Sequence, residues 1–449
     1  MPNSKVSFIS KLVEPTLFFI VAAGLTYTMA FLWRNYYLPE PYFYLPSDTY
    51  MDWFNVAEWS HDSGAYSSWR SVYPPLNFLF AGMFSLSECY VSPSPAGIAR
   101  YARSCDWLSL VTIHVVYVLC GVVTALSFAK SQASTAFYRA FALTAGLPMT
   151  VALERGNLIM VAFLGFALGY GPLLKLARWR WVALAWAVNF KIYLVASLFA
   201  QLLHRRWRSF EGAIVASTIL YVATYLIYNG GSPIEIINNI IDYSAIAENL
   251  DFTNIFYSVS YNPHITVLSN PILPIDVTLG QNVTEPLLFY VYYYTRLTQA
   301  MIVFAAVATW LRPEVVSPLR SVNLAMCFTF LLAEPNGYSY IFIVFMTFLE
   351  SGKAGFGRAA VVAAYILCVQ VDYPISNITS LIEDSFIGGR LVQVPLNISV
   401  GTFVRPSIFY LIPLFLSCAT ILAVWKDIRT QGWKERRRFR HDLPLMQGA

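Results

Sequence analysis

Along most of the chain the hydrophobic positions come in long blocks, with polar residues confined to the gaps between them. A helix that crosses a bilayer needs about 20 apolar residues, fewer where protein buries it. Blocks near 15–33, 73–87, 107–129, 137–152, 158–174, 181–203, 213–229, 286–311, 321–333, 339–350, 359–374 and 406–425 therefore predict about twelve transmembrane helices. Those at 73–87, 321–333 and 339–350 are short and suit re-entrant segments. The expectation is an all-α polytopic membrane protein, one integral domain over residues 1–449, with both termini in the cytoplasm. Three long gaps, 34–72, 230–285 and 375–405, then become outward-facing loops. Loops of that length are functional or disordered, and the first two are rich in Tyr, Trp, Asn, Asp and Pro, which favours order.

Composition sharpens the class. The chain is 57% hydrophobic and 12% charged, against about 25% charged residues in soluble domains. No soluble fold of this length hides so much apolar surface. Its 12 Trp, 29 Tyr and 32 Phe fit interfacial belts, and they also supply stacking surfaces for sugars and isoprenoids. The net charge of +5 is concentrated in the tail 426–449, with Lys434, Arg436, Arg437, Arg438 and Arg440. Under the positive-inside rule this is a cytoplasmic anchor rather than a nucleic-acid patch. His204 to Arg208, Arg312 to Arg320 and Lys353 to Arg358 obey the rule, whereas Lys130 and the Lys175–Arg180 cluster fall outside. The six cysteines are scattered, four of them in hydrophobic segments and without a CxxC pair, and predict neither a metal site nor a disulfide framework. No internal repeat is visible, which argues against transporters built from inverted repeats.

Polar residues that packing does not require are the candidates for chemistry. Asp48 and Asp52 stand four apart between the first two hydrophobic segments, so a short helix would set both on one face. A carboxylate beside the bilayer, its pKa raised by desolvation, suits a general base on a hydroxyl. The same spacing also fits two solvated loop acids, with Asp48 capping a helix. Lys191 and Arg296 each lie ten residues into a segment that contains no carboxylate, about 15 Å deep. A cation there needs an anionic partner. A lipid phosphate or diphosphate satisfies that need, and Arg offers it bidentate geometry. Glu154-Arg155-Gly156-Asn157 reads as a tight turn in which Glu154 and Arg155 pair with each other or cap helices. His61 and His264 are loop histidines that suit surface positions more than a catalytic base. The turn from Glu334 through Asn336 to Tyr338 is placed to close over the same site. No P-loop, GxSxG, HExxH or dinucleotide fingerprint occurs.

The order of these pieces resembles the GT-C superfamily of membrane glycosyltransferases, with many transmembrane helices, an acidic motif in the first outside loop and a large outside loop after the seventh helix. Within it the chain is most similar to glycosyltransferase family 87, the polyprenol-phosphate-mannose-dependent mannosyltransferases. That family has an Asp, an aromatic helix, a Gly-Tyr pair and a Tyr-Pro-Pro-Leu opening the second helix. Here these read Asp48-Thr-Tyr50, Gly64-Ala-Tyr66 and Tyr73-Pro74-Pro75-Leu76. Arg155-Gly156-Asn157, followed by Lys191-Ile192-Tyr193, also resembles the GPI first-mannose transferase family. The likeness covers roughly residues 40–230; the family's late His-Tyr pair has no counterpart, since Glu334 to Tyr338 contains no His.

The resemblance implies an inverting transfer of a sugar, mannose being the family's commonest, from a polyprenyl-phosphate donor to a lipid-linked or glycan acceptor. It makes Asp48 the base, with Asp52 as the alternative or as a partner of the acceptor hydroxyl. Lys191, Arg296 and Arg70 then bind the donor phosphate. Tyr50, Tyr66, Tyr73, His61, His264, Asn336 and Tyr338 line the substrates. Phosphate is a good leaving group, so neither a second acid nor a cofactor or metal is expected, and activity should survive EDTA. The implied setting is the cell inner (plasma) membrane, with the site facing the periplasm or outside. The rival readings are a transporter or flippase of an anionic glycolipid, and a polymerase or ligase of the O-antigen type.

Overall fold

The structure, a computed structural model, describes residues 4–42, 45–62, 64–91, 97–228, 230–246, 258–269, 280–332, 335–350, 355–386 and 389–433. Residues 434–449 with most of the basic tail, Lys353 and Glu334 lie outside them. The chain is mostly helical, in the order α1 (Ser4–Asn35), α2 (Met51–Ser60), α3 (Pro75–Met83), α4 (Ile98–Cys105), α5 (Trp107–Ser131), α6 (Ala136–Thr144), α7 (Leu147–Glu154), α8 (Ile159–Tyr170) and α9 (Ala177–Phe190). Then come α10 (Ala196–Leu203), α11 (Trp207–Tyr228), α12 (Pro233–Ile246), α13 (Asn262–Ser269), α14 (Gln281–Leu311), α15 (Pro318–Leu332), α16 (Tyr340–Leu349), α17 (Gly355–Leu367) and α18 (Val400–Gln431). Five stretches are long and apolar enough to cross a membrane: Leu12–Asn35, Trp107–Ser131, Ala136–Glu154, Trp207–Tyr228 and Val400–Gln431. Their exposed faces carry Phe19, Val115, Leu226 and Leu422, side chains that water would not tolerate in such number.

The short helices earn their place by burial within protein. All ten residues of α16 are buried, as befits a helix that is apolar all round. Phe342 and Phe345 pack against Phe163 of α8. α8 and α9 pack closely because Gly165 has no Cβ, and one added there would sit 2.6 Å from the Ala183 carbonyl oxygen.

Three expectations are corrected. The segment 73–87, counted among the twelve helices with the re-entrant form as its alternative, contains only the nine-residue helix α3, about 13 Å long, too short to run the length of the bundle. The next helix, α4, returns beside α2, where Arg103 bonds the carbonyls of Pro46, Ser47 and Thr49. The segment 181–203 is not one helix but two, broken at Lys191. Trp181 packs on Gly212 near the start of α11, and Leu203 precedes that same start, so both ends of the segment lie together with Lys191 at the opposite end. These two changes move Lys130 and Lys175–Arg180 to the end of the bundle away from Asp48, which they share with His204–Arg208 and Arg312. The third correction is a strand pair. Residues 375–405 are not all loop and helix, since β1 (Pro374–Asp384) and β2 (Leu391–Ser399) pair antiparallel with Leu381 opposite Val394.

Candidate active site

Helix ends leave backbone groups without partners, and the site forms where two such ends meet. At the C-terminus of α7 the carbonyls of Glu154 and Arg155 are free, and at the N-terminus of α2 the amides are free. They bond each other: Tyr50 N donates to Glu154 O at 2.8 Å and Asp52 N to Arg155 O at 3.1 Å. The contact is close enough to require glycine at 156. Gly156 has φ +62°, and a Cβ on it would lie 3.0 Å from Tyr50 Cα. Tyr50 itself takes φ +64°, which separates the short turn Pro46–Asp48 from α2. The two carboxylates thus do not share one helix. They are gathered from outside by a cation.

That cation is Arg155. Its Nη1 donates to Asp48 Oδ2 and its Nη2 to Asp52 Oδ1 at 2.7 Å. Asn157 donates from Nδ2 to Asp52 Oδ2 at 2.6 Å, while its Oδ1 accepts from Ile159 N at the start of α8. Both oxygens of Asp52 are therefore occupied. Asp48 Oδ1 accepts no bond among the described residues, and the Asp48 side chain is 27% exposed against 18% for Asp52. Burial pushes the Asp48 carboxyl above its usual pKa, against the pull of the Arg155 guanidinium. Burial works against the charge of Arg155, but Asp52, Glu154 and Asp48 around it push its pKa up. The chemistry this permits is proton acceptance at one accessible oxygen of Asp48.

Lys191 faces the same place. Its Nζ lies 4.6 Å from the Tyr73 ring centroid and within electrostatic reach of Asp52, and it makes no ion pair among the described residues. Asn77 fixes the break it sits in, donating from Nδ2 to the carbonyls of Asn189 at 3.2 Å and Phe190 at 3.3 Å. Tyr66 is buried and donates its hydroxyl to Tyr73 O at 2.8 Å, so it holds Tyr73. Tyr338 lies within electrostatic reach of Asp52, Tyr73 and Tyr193, and Asn336 donates to its hydroxyl at 2.9 Å. Tyr193 approaches Ser339 at 3.3 Å. Four breaks in helical structure, before α2, after α7, after α9 and before α16, converge here.

Several expected residues stand elsewhere. Arg296 is exposed on α14, bonded to Gln299 and lying over Tyr292, with no contact to the Asp48–Asp52 cluster. Arg70 is exposed in a loop with φ +48°. His264 is not a surface residue: it is 1% exposed, bonded through Nε2 to Thr402 O at 2.9 Å, and burial lowers its pKa to about 4. His61 is exposed and bonds Ser85 at 2.9 Å. The Tyr50 hydroxyl turns toward His114 at 3.4 Å. Glu154 and Arg155 do not pair in an ion bridge; Arg155 serves the aspartates instead. Arg155, Asn157 and Tyr193 are the residues that reading for isolated acids and cations missed. The signal for them was the run Arg155-Gly156-Asn157 with Lys191-Ile192-Tyr193.

No family model matches the chain, and neither does any curated protein or solved structure.

Proposed function

We propose that the protein is an inverting glycosyltransferase of the GT-C type, moving a sugar, mannose first among the candidates, from a polyprenyl-phosphate donor to a lipid-linked or glycan acceptor. The observation that carries this reading is the pairing of one accessible carboxylate oxygen, on Asp48, with a cation, Lys191, that has no ion partner among the described residues, in one cluster. Asp48 takes the proton of the acceptor hydroxyl as its oxygen attacks C1 of the sugar. The C1–O bond to phosphate breaks on the opposite face, and Lys191 stabilises the departing phosphate. Arg155 and Asn157 hold the carboxylates for that step.

A lipid donor fits the surroundings. An apolar groove of about 640 Å³ runs between α5, α8 and α9, lined by Val111, Leu168, Trp179 and Trp186. Its Phe80 lies edge-on to Trp53 and Phe190, the residues that follow Asp52 and precede Lys191. On this reading the chain makes twelve passes through a bilayer, with Lys130, Lys175–Arg180, His204–Arg208 and Arg312 at the cytoplasmic end and the cluster around Asp48 at the other. The test is transfer of radiolabelled mannose from synthetic polyprenyl-phosphate mannose to a lipid extract of the host. Transfer by wild type but not by Asp48→Asn supports class and base together. Transfer by both moves the base to Asp52. Failure with mannose and with other polyprenyl-linked sugars overturns the reading.

A further inference from the structure

Outside the carboxylate cluster, the densest set of unexplained polar contacts lies on α4 and the start of α5. Helix α4 has eight residues, too few to be stable alone. Its first turn is held by Glu58, whose Oε2 accepts from Ala99 N at 3.1 Å. Its last residue, Cys105, is bonded to Cys89, the one disulfide among the described residues. The residues that follow these two cysteines are bonded as well. Tyr90 donates its hydroxyl to Asp106 Oδ2 at 2.8 Å, and Ser109 Oγ donates to the same oxygen at 2.6 Å. Ser109 Oγ in turn accepts from Trp53 Nε1 at 2.8 Å. Asp106 and Ser109 are fully buried.

What α4 presents to the cluster is Arg103. One nitrogen, Nη1, donates to the carbonyls of Pro46 at 3.2 Å, Ser47 at 2.8 Å and Thr49 at 3.1 Å. These carbonyls bracket Asp48. Arg100, one turn earlier, reaches Ser47 Oγ at 3.5 Å, and Asp384 of β1 faces Arg103 from the hairpin. We propose that Arg103 is a positioning residue for Asp48, and that the Cys89–Cys105 disulfide is a redox latch that keeps Arg103 in place. Cys89 is buried while Cys105 is partly exposed. A dithiol therefore attacks Cys105 Sγ, the S–S bond breaks, and Cys89 leaves as a thiolate that takes up a proton. The second thiol of the reductant then displaces Cys105 and closes its own disulfide. The naming of Asp48 as the group whose position matters rests on the transferase reading; the latch itself does not.

The test uses the full chain in lipid nanodiscs. Hydrogen exchange of peptides covering residues 46–56 is followed before and after reduction, with both thiols verified by alkylation and mass. Exchange in wild type rises about tenfold on reduction. Cys89→Ser/Cys105→Ser shows the fast rate without reductant and ignores it. Arg103→Gln is fast in both states, and Arg103→Lys recovers part of the protection. Non-additivity of the Arg103 and cysteine changes marks one shared contact. If reduction loosens residues 98–105 but leaves 46–56 unchanged, or if Arg103→Gln still responds to reductant, the latch is wrong. Should the cysteine variants not accumulate, reduction of purified wild type gives the same comparison. In the transfer assay reduction lowers kcat about tenfold and leaves donor KM within about twofold, the split expected of a residue that acts through the backbone around Asp48. Absence of any transfer by wild type sinks the functional reading, while the exchange data still decide the latch.

Discussion

Asp48 and Asp52 are the same residue type four positions apart, and their environments give them different work. Asp52 has both oxygens committed, to Arg155 and Asn157, whereas Asp48 keeps one open. Asp48→Asn should therefore lower transfer by about 10²–10⁴-fold, the range for loss of a positioned base. Asp52→Asn keeps a side chain of the same shape and should cost less; equal losses for the two would argue against the assignment. On the proposed reading Arg155 also sets the pH range. As the proposed base, Asp48 would work only when deprotonated; burial holds its pKa up, and Arg155 pulls it down. Removing that pull in Arg155→Gln raises the pKa further, so the acid limb of kcat/KM moves to higher pH. An unmoved limb, or one displaced to lower pH, would show that Asp48 is not the titrating group. Gly156→Ala combines a left-handed backbone with a Cβ against Tyr50. A cost of about 1–2 kcal/mol is expected, read as a lowered Tm with a roughly tenfold slower transfer.

At the scale of elements, hydropathy located the helices well and their breaks poorly. The blocks at 107–129, 213–229 and 406–425 appear as α5, α11 and α18. Block 181–203 hid a break, because Asn189, Lys191 and Tyr193 are three polar residues in a run otherwise apolar enough to read as one helix. Asn77, reaching in from α3, bonds the carbonyls before Lys191 and helps hold the break. The disulfide went unread for a similar reason, since neither cysteine spacing nor hydropathy says that α4 packs beside α2 and brings Cys105 to Cys89. Docking of α1 depends on a buried pair as well. Glu14 accepts from Arg139 of α6 at 2.7 and 2.9 Å and from Tyr365 of α17 at 3.0 Å, and the Arg139 side chain is only 3% exposed. Glu14→Ala leaves that guanidinium buried without its counter-ion and should cost about 3–5 kcal/mol. Differential scanning fluorimetry in detergent would show it as a clear fall in Tm; a Tm within a degree of wild type would mean that α1 is held by apolar packing alone.

The whole molecule is organised by which end of the bundle each connection occupies. Because α3 stops after nine residues, residues 98–105 belong with Asp48, and Lys130 and Lys175 belong with the far end. Single cysteines introduced into a background without Cys120, Cys327, Cys368 and Cys418 would test this in sealed vesicles. A cysteine at Ser68 and one at Ser104 should react with an impermeant maleimide from the same side. One at Gln132 should react only from the other. Labelling of positions 68 and 132 from one side, with 104 reacting only from the other, would restore 73–87 as a full crossing. The same arrangement puts Lys130, Lys175–Arg180, His204–Arg208 and Arg312 together at the end away from Asp48, and on the proposed reading this meets the positive-inside rule without the two exceptions that a crossing at 73–87 required.

Membrane class was legible in the chain because burying that much apolar surface is a property of composition, independent of how helices are arranged. Asp48, Asp52 and Lys191 were also legible, since an ionisable group beside or within an apolar segment is conspicuous wherever it ends up. What joined them was not. Arg155 and Asn157 read as an ordinary turn, Arg103 carried no signal at all, and Arg296 matched Lys191 in depth but lies exposed over Tyr292. Depth along a helix follows from counting residues. The direction a side chain faces, and which helix ends meet across more than 100 positions of sequence, follow from packing, and only the tertiary structure decides that.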